Sequence, residues 1–277
     1  MKVETPYRDF LRFWDRAEHV PHEEQKRLWE ELYATRHPDV MAHYDGLFGV
    51  ASSLDEALPR YGDVADDLDR RFAALALERR AREVAELLGA PETPRAVAMV
   101  GLFSANAWSD DLDGAPVAFF ALEQLPEPPT TIATHEFAHA SHRLAREEYW
   151  DVEPGLIVLC EGVALATTLR LIPDAPAEEH FCVEDYAAYR AAAEAGWAET
   201  IDALLGCLDS TELRDLQRFM WPDWGRADHD VPERVGYLVG ARVVEALLGE
   251  HDLATIVRWP AERALAEVRA ALETLRG

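Results

Sequence analysis

The sequence contains few cysteines, and few basic residues compared with its acidic ones. Its three cysteines are an odd number without the close pairs typical of metal-binding thiols, which argues against a disulfide framework and predicts reduced thiols. They are Cys160, Cys182 and Cys207. The 27 basic residues are outnumbered by 52 acidic ones, giving a net charge of −25. Because phosphate backbones and anionic lipid surfaces would be repelled, we expect no nucleic acid and no membrane among the partners.

Targeting signals and repeats are also lacking. The first nine residues contain no apolar signal core and no run of transmembrane length is evident, so we expect a cytoplasmic protein. No internal repeat, low-complexity tract or long linker divides the 277 residues, which predicts one large domain or two closely packed subdomains. Pro91 and Pro94 mark the predicted seam between an N-terminal helical layer, residues 1–93, and the remainder, residues 94–277.

The segment His135-Glu136-Phe137-Ala138-His139 has the HExxH pattern of zinc hydrolases. Histidines four residues apart lie on one face of a helix, so both imidazoles can reach a single metal ion. The glutamate between them lies where it can deprotonate a bound water. Pro128 and Pro129, followed by two threonines, predict the start of this helix. The alternative is a buried core helix whose histidines are satisfied by ordinary hydrogen bonds.

A third metal ligand is predicted further along the chain. Residues 156–166 form an apolar run with one carboxylate, Glu161, in its middle, and the nearest following basic residue is Arg170. Because burying an ionised carboxylate without a partner is costly, a zinc ion would supply the missing charge. Gly162 removes a side chain, which would let this helix approach the motif helix closely. The alternative is a protonated or arginine-paired core acid.

HExxH followed by a glutamate in a Cys-Glu-Gly-x-Ala context resembles the gluzincins, the metallopeptidase group of thermolysin and the zinc aminopeptidases. The resemblance implies that the second helix donates Glu161 as a zinc ligand. The metzincin pattern does not fit, because His142 and Ala145 occupy the positions where it requires Gly and His. The chain departs from thermolysin at Leu165, where thermolysin has Asp, so the partner of a zinc-bound histidine is left unidentified.

Two further segments extend the resemblance. Phe10-Leu11-Arg12-Phe13-Trp14 and Leu28-Trp29-Glu30-Glu31-Leu32-Tyr33 resemble the opening of a bacterial family of predicted zinc-dependent proteases without a known substrate. Gly236-Tyr237-Leu238-Val239-Gly240 is similar to the Tyr-x-x-Gly setting of gluzincins, which implies that Tyr237 stabilises the oxyanion of the reaction. The two glycines indicate close packing of the helix that begins there. The alternatives are an ordinary core tyrosine, and His229 as the residue for the same task.

The fold class predicted is α+β and mostly helical, with a zincin-like catalytic core, a small sheet and an N-terminal helical layer. Apolar runs at residues 95–103 and 115–122 predict strands, with a turn at residues 109–114. Pro116 indicates the beginning of a strand or a sheet edge. The resemblance implies an edge strand before the HExxH helix that holds an extended peptide. Helices are predicted at residues 7–17, 21–35, 38–48, 63–89, 182–206, 211–219, 232–248 and 260–276.

These features together predict a zinc-dependent peptidase. Zn²⁺ held by His135, His139 and Glu161 would keep a fourth position for water, and Glu136 would act as the general base on a peptide or protein substrate. The alternative is a regulatory or binding protein that retains the gluzincin fold without proteolysis.

Overall fold

The computed structural model describes residues 1–49, 53–126, 130–146, 150, 152–220 and 231–277. Within these residues the chain is mostly helical with one small mixed sheet, so the predicted α+β class is confirmed. The chain divides into two compact units, Met1–Arg82 with Thr93–Ala140, and Glu83–Glu92 with Ser141–Gly277. The predicted division into an N-terminal helical layer, residues 1–93, and the remainder, residues 94–277, stays a prediction.

The sheet belongs to the first unit. Its strands are β1 (Val3–Glu4), β2 (Arg95–Met99), β3 (Ala107–Leu112) and β4 (Ala115–Ala121), in the spatial order β1-β2-β4-β3. The β1–β2 and β2–β4 pairs are parallel, whereas β3 and β4 are antiparallel. The two central strands, β2 and β4, are those predicted from their apolar runs, and their residues are almost entirely buried.

The edge of the sheet differs from the prediction. The strand nearest to the motif in sequence, β4, is internal, and β3 is the edge strand before the motif helix. Residues 109–112 are strand and not turn, because the hairpin needs only Asp113 and Gly114 to reverse the chain. Both have positive φ, 55° and 73°, as a two-residue type I′ turn requires. Strand β3 was not predicted from the sequence, because its residues are partly acidic and it lies at the edge of the sheet.

The first unit also contains the helices α1 (Tyr7–Ala17), α2 (His22–Leu32), α3 (Pro38–Phe48), α4 (Leu54–Ala57) and α5 (Leu68–Leu75). The first turns of α6 (Leu77–Leu88) and most of α7 (Ile132–Ala145) complete it. The helix predicted at residues 63–89 is two helices, because Ala76 has a left-handed φ of 48° and interrupts the hydrogen-bond ladder.

Aromatic residues of the N-terminal helices form the core of this unit. Phe10 packs edge-on against Trp29, Tyr33 and Tyr61 with ring centroids 4.8 to 6.2 Å apart. The buried hydroxyl of Tyr33 donates to the carbonyl of Val100 at 2.7 Å, at the end of β2. The aromatic N-terminal segments therefore have a packing role in the described structure.

A buried acid beyond β4 was not singled out from the sequence. Glu123 is 4% exposed, and its Oε1 accepts hydrogen bonds from the amides of Gly101 at 2.9 Å and Phe103 at 3.3 Å. Burial raises the pKa of Glu123 to about 7, although the two amides and Arg71 favour the charged form. This carboxyl therefore holds the loop after β2, where Phe103 adopts a left-handed φ of 60°.

The second unit is helical in its described residues. Its helices are α8 (Pro154–Leu171), α9 (Ala177–Phe181), α10 (Tyr186–Ala195), α11 (Trp197–Leu205), α12 (Leu213–Met220), α13 (Val235–Leu247), α14 (Leu253–Ile256) and α15 (Ala261–Leu275). The helix predicted at residues 182–206 divides into α10 and α11 at Gly196. Helices α12, α13 and α15 pack around α8, which forms the centre of the unit.

Helix α8 differs from the expectation that the chain contains no run of transmembrane length. Among the residues that the structure describes, it is the one helix long and apolar enough to cross a membrane, with 18 residues from Pro154 to Leu171. However, 61% of it is buried inside the protein. Enclosure by other helices is typical of the core helix of a folded domain, and the apolar composition of α8 is explained by that packing.

Helices α8 and α13 touch through glycines. A methyl group on Gly162 would overlap the carbonyl oxygen of Gly240, and one on Gly240 would overlap that of Val158. A methyl group on Gly236 would overlap the sulfur of Met220. The close packing predicted for Gly236 and Gly240 is confirmed. The partner predicted for Gly162 was wrong, because this glycine admits α13 and not the motif helix.

Replacing Gly162 by Ala is expected to lower the free energy of unfolding by more than about 3 kcal/mol. Relief of an overlap with backbone requires a shift of a whole helix and not of a side chain. Gly46→Ala is the matched control, because Gly46 lies in α3 with no atom within 4 Å of an added methyl. That substitution should raise stability by roughly 1 kcal/mol. Urea denaturation of both variants measures the difference, and unchanged stability of Gly162→Ala would contradict the close contact.

Candidate metal centre

The motif histidines lie in the first half of α7. This helix begins at Ile132, and the amide of His135 donates to the carbonyl of Thr131 at 3.0 Å. Pro128 and Pro129, predicted to start the helix, lie outside the described residues. The apolar face of α7 is buried at Ala133, Phe137 and Ala140, and Phe137 packs edge-on against Phe120 of β4 with ring centroids 5.7 Å apart. Packing of this face against the sheet leaves both histidines half-buried on another side of α7.

The two imidazoles face each other at the separation that a metal ion requires. The Nε2 atoms of His135 and His139 are 3.0 Å apart, and the ring planes are inclined by 78°. Tetrahedral zinc with nitrogen ligands at about 2.0 to 2.1 Å holds two such nitrogens about 3.3 Å apart. At this distance the two nitrogens either share a proton or are bridged by a cation, because two lone pairs directed at each other repel.

Glu161 of α8 joins the histidines in one group of potential ligands. The ligand atoms of His135, His139 and Glu161 all lie within 4.8 Å of one another. Glu161 is half-buried and its Oε2 is shielded from solvent. All three residues predicted as ligands from the sequence are therefore brought together, and two imidazoles with one carboxylate are a donor set suited to Zn²⁺ with an open fourth position.

Two neighbouring residues with metal-binding side chains have other surroundings. His142 is 1% exposed and packs edge-on against Trp150, with ring centroids 5.1 Å apart. The Sγ of Cys160 lies 3.9 Å from a guanidinium nitrogen of Arg146, whose own group covers the Trp150 ring. Burial raises the pKa of the Cys160 thiol to about 11, so this thiol stays protonated at neutral pH and is a poor ligand or nucleophile.

The two residues predicted to act in catalysis lie on α7 and α13. Glu136 is 8% exposed, in the same helical turn as His135. Tyr237 is half-buried in the first turn of α13, one turn before the glycine that touches α8. Because Gly162 follows Glu161 directly, the contact between α8 and α13 brings the backbones that carry Tyr237 and Glu161 near each other. The oxyanion role of Tyr237 stays a prediction, and His229 lies outside the described residues.

Arg234 is a neighbour of Tyr237 that the sequence did not single out. Its guanidinium carbon lies 4.2 Å from the centroid of the Tyr237 ring. Its backbone has a left-handed φ of 56°, and its carbonyl accepts a hydrogen bond from the Tyr189 hydroxyl at 2.9 Å. A cation over the ring stabilises the orientation of Tyr237. The contact is local, because the two residues are three positions apart in the chain.

Comparison of the chain with protein-family models, with curated proteins and with solved structures finds no match. The support for a metal centre is therefore the donor set itself. Two imidazole nitrogens and a carboxylate converge from α7 and α8. The resemblance to gluzincins rests on these residues and their order in the chain.

We expect the purified protein to bind one zinc ion per chain, and His135→Ala or His139→Ala to abolish tight binding. Two remaining protein ligands make a poor site, because zinc sites of this class use three. His142→Ala is the matched control from the same helix and should keep the metal. Elemental analysis and competition with a chromogenic chelator measure the zinc content. Zinc content unchanged by loss of either motif histidine would contradict the ligand set.

Proposed function

We propose that the protein is a zinc-dependent peptidase of the gluzincin type, with α7 and α8 as the centre of a zincin-like catalytic core. The observation that carries the proposal is the convergence of His135, His139 and Glu161 within 4.8 Å, with the motif acid Glu136 beside them and buried. A buried helix with satisfied histidines would not require a carboxylate from a second helix to meet both imidazoles.

The charges of the site residues suit hydrolysis. Two neutral histidines and the Glu161 carboxylate would hold zinc with a net charge of +1, and ionised Glu136 would balance it. Zinc bound there would act as a Lewis acid toward a carbonyl and would lower the pKa of water.

Glu136 has two roles in the reaction. It accepts a proton from the attacking water, so that the water oxygen can bond to the peptide carbonyl carbon. It then returns that proton to the leaving amine as the C–N bond breaks. Tyr237 would donate a hydrogen bond from its phenol to the oxyanion that forms between the two steps, and would keep its proton. The products are a carboxylate and an amine, and the enzyme residues end in their starting protonation states.

The substrate class follows from the acid surface and from the chemistry. A chain with a net charge of −25 favours cationic peptides over anionic polymers. An extended peptide could add to the sheet at the edge strand β3. We therefore propose a peptide or protein substrate for a cytoplasmic enzyme, with no nucleic acid or membrane partner. The competing proposal, a binding protein that retains the site without turnover, is separated from this one by the variants of Glu136.

Glu136→Gln is expected to keep zinc and stability but to lose turnover by several orders of magnitude, since an amide cannot accept the proton from water. Glu161→Ala should instead lose metal affinity and stability together, because it removes a ligand. Hydrolysis of a fluorogenic peptide library, with zinc content and melting temperature measured on the same samples, distinguishes these losses. Near-normal turnover by Glu136→Gln would reject the general-base role, and no turnover by the zinc-loaded parent would favour the binding protein.

Tyr237→Phe is expected to lower kcat by roughly 10²-fold to 10³-fold with little change in KM, because an oxyanion donor acts mainly in the transition state. Zinc content and melting temperature should stay close to those of the parent. Tyr33→Phe is the structural control, since its hydroxyl donates to the carbonyl of Val100 inside the core. That variant should lose stability and keep kcat. Reduced stability with unchanged kcat for Tyr237→Phe would make Tyr237 a core residue.

A further inference from the structure

A concave site lies in the first unit. It is a cavity of about 630 Å³ bounded by β1, the start of α1, the end of α5 and the start of α6. Cavities that bind small molecules typically measure about 300 to 1,000 Å³. None of the three predicted metal ligands lines it.

The rim of this cavity is basic in a strongly acidic protein. Arg8 of α1 and Arg79 and Arg82 of α6 line it, and Glu78 is the one acidic residue among the lining residues. Arg79 and Arg82 are three positions apart on one helix, so they lie on neighbouring positions of its surface. Because the chain carries a net charge of −25, three arginines beside one glutamate in the lining are a local excess of positive charge, which favours an anionic ligand.

The start of α6 adds backbone donors to the same cavity. Ala76, Leu77 and Glu78 line it, and they form the junction and the first turn of this helix. Ala76 has a left-handed φ of 48°, which is unfavourable for any residue but glycine, and its methyl group cannot cap the helix. The amides in the first turn of a helix favour an anion at that end.

The wall of the cavity is apolar. Val3 of β1, Phe72 of α5 and Leu77 of α6 contribute to it, and the Phe72 ring is held by Tyr7 with ring centroids 4.9 Å apart. A ligand that contacts both the arginines and the apolar wall must carry an oxyanion and an aromatic or aliphatic body. Free inorganic phosphate would contact only the arginines.

We propose that this cavity binds a small organic oxyanion, a phosphate monoester or carboxylate on an apolar body. The guanidinium groups of Arg8 and Arg82 donate charge-assisted hydrogen bonds to the oxyanion, and Phe72 packs against the apolar body of the ligand. The site is independent of the proposed peptidase activity and does not require zinc.

Calorimetric titration of the zinc-loaded full chain tests the proposal, with phenyl phosphate, phenylacetate, inorganic phosphate and benzyl alcohol as probes. We expect phenyl phosphate or phenylacetate to bind at least about tenfold more tightly than inorganic phosphate, because the apolar body leaves water. Their relative affinities identify the phosphate or the carboxylate as the preferred head group. Benzyl alcohol should show no saturable binding. Equal affinity for phenyl phosphate, phenylacetate and inorganic phosphate would overturn the proposal, because it would indicate only general attraction to arginine.

Substitutions of the residues that line the cavity test where the probe binds. Arg8→Gln and Arg82→Gln should each weaken binding of the preferred probe by about tenfold or more, the usual effect of losing a charged hydrogen bond. Glu78→Gln should strengthen it. Arg16→Gln is the matched control, since Arg16 is an exposed arginine of α1 that does not line the cavity. His135→Ala should bind the probe as the parent does, and loss of binding in that variant would place the anion at the metal centre and overturn the proposal. Unchanged affinity in both arginine variants would overturn it as well.

Discussion

The contact between α8 and α13 determines where the candidate residues of the second unit lie. Backbone meets backbone at Gly162 and Gly240, with the side chain of Val244 packed beside Gly162. Glu161 precedes the first of these glycines, and Tyr237 lies one helical turn before the second. A crossing that close tolerates little rotation of either helix, because side chains on both sides would collide. The direction in which Glu161 projects from α8 is therefore set by packing and not by the carboxylate itself.

A carboxylate in the middle of a core helix imposes an electrostatic constraint. Helix α8 is apolar enough to cross a membrane and largely enclosed by protein, so the charge of Glu161 needs compensation in its surroundings. The imidazoles of His135 and His139 are close enough to provide it through a shared cation. A cation held there would also relieve the repulsion between the two Nε2 atoms, which are 3.0 Å apart.

Charge is distributed unevenly over this acidic protein. Buried Glu123 is held by backbone amides, and burial raises its pKa to about 7. Some arginines pack over aromatic rings, as Arg234 does over Tyr237 and Arg146 does over Trp150. They also gather at the cavity beside α6. Acidic residues outnumber basic ones almost two to one in this chain, so these arginines lie in a protein that is acidic as a whole.

The sequence by itself determined the features that depend on short spacing. The i, i+4 spacing places His135 and His139 on one side of a helix whatever surrounds it, and an apolar run marks Glu161 as an acid that requires compensation. The strands β2 and β4 followed from their apolar runs in the same way. Tertiary structure alone decided which strand is the edge of the sheet, which helix Gly162 admits, and where the helix predicted at residues 63–89 breaks at Ala76. It also decided that Arg8 meets Arg79 and Arg82 at one cavity. These outcomes depend on contacts between residues far apart in the chain, and local periodicity contains no information about which distant surfaces meet.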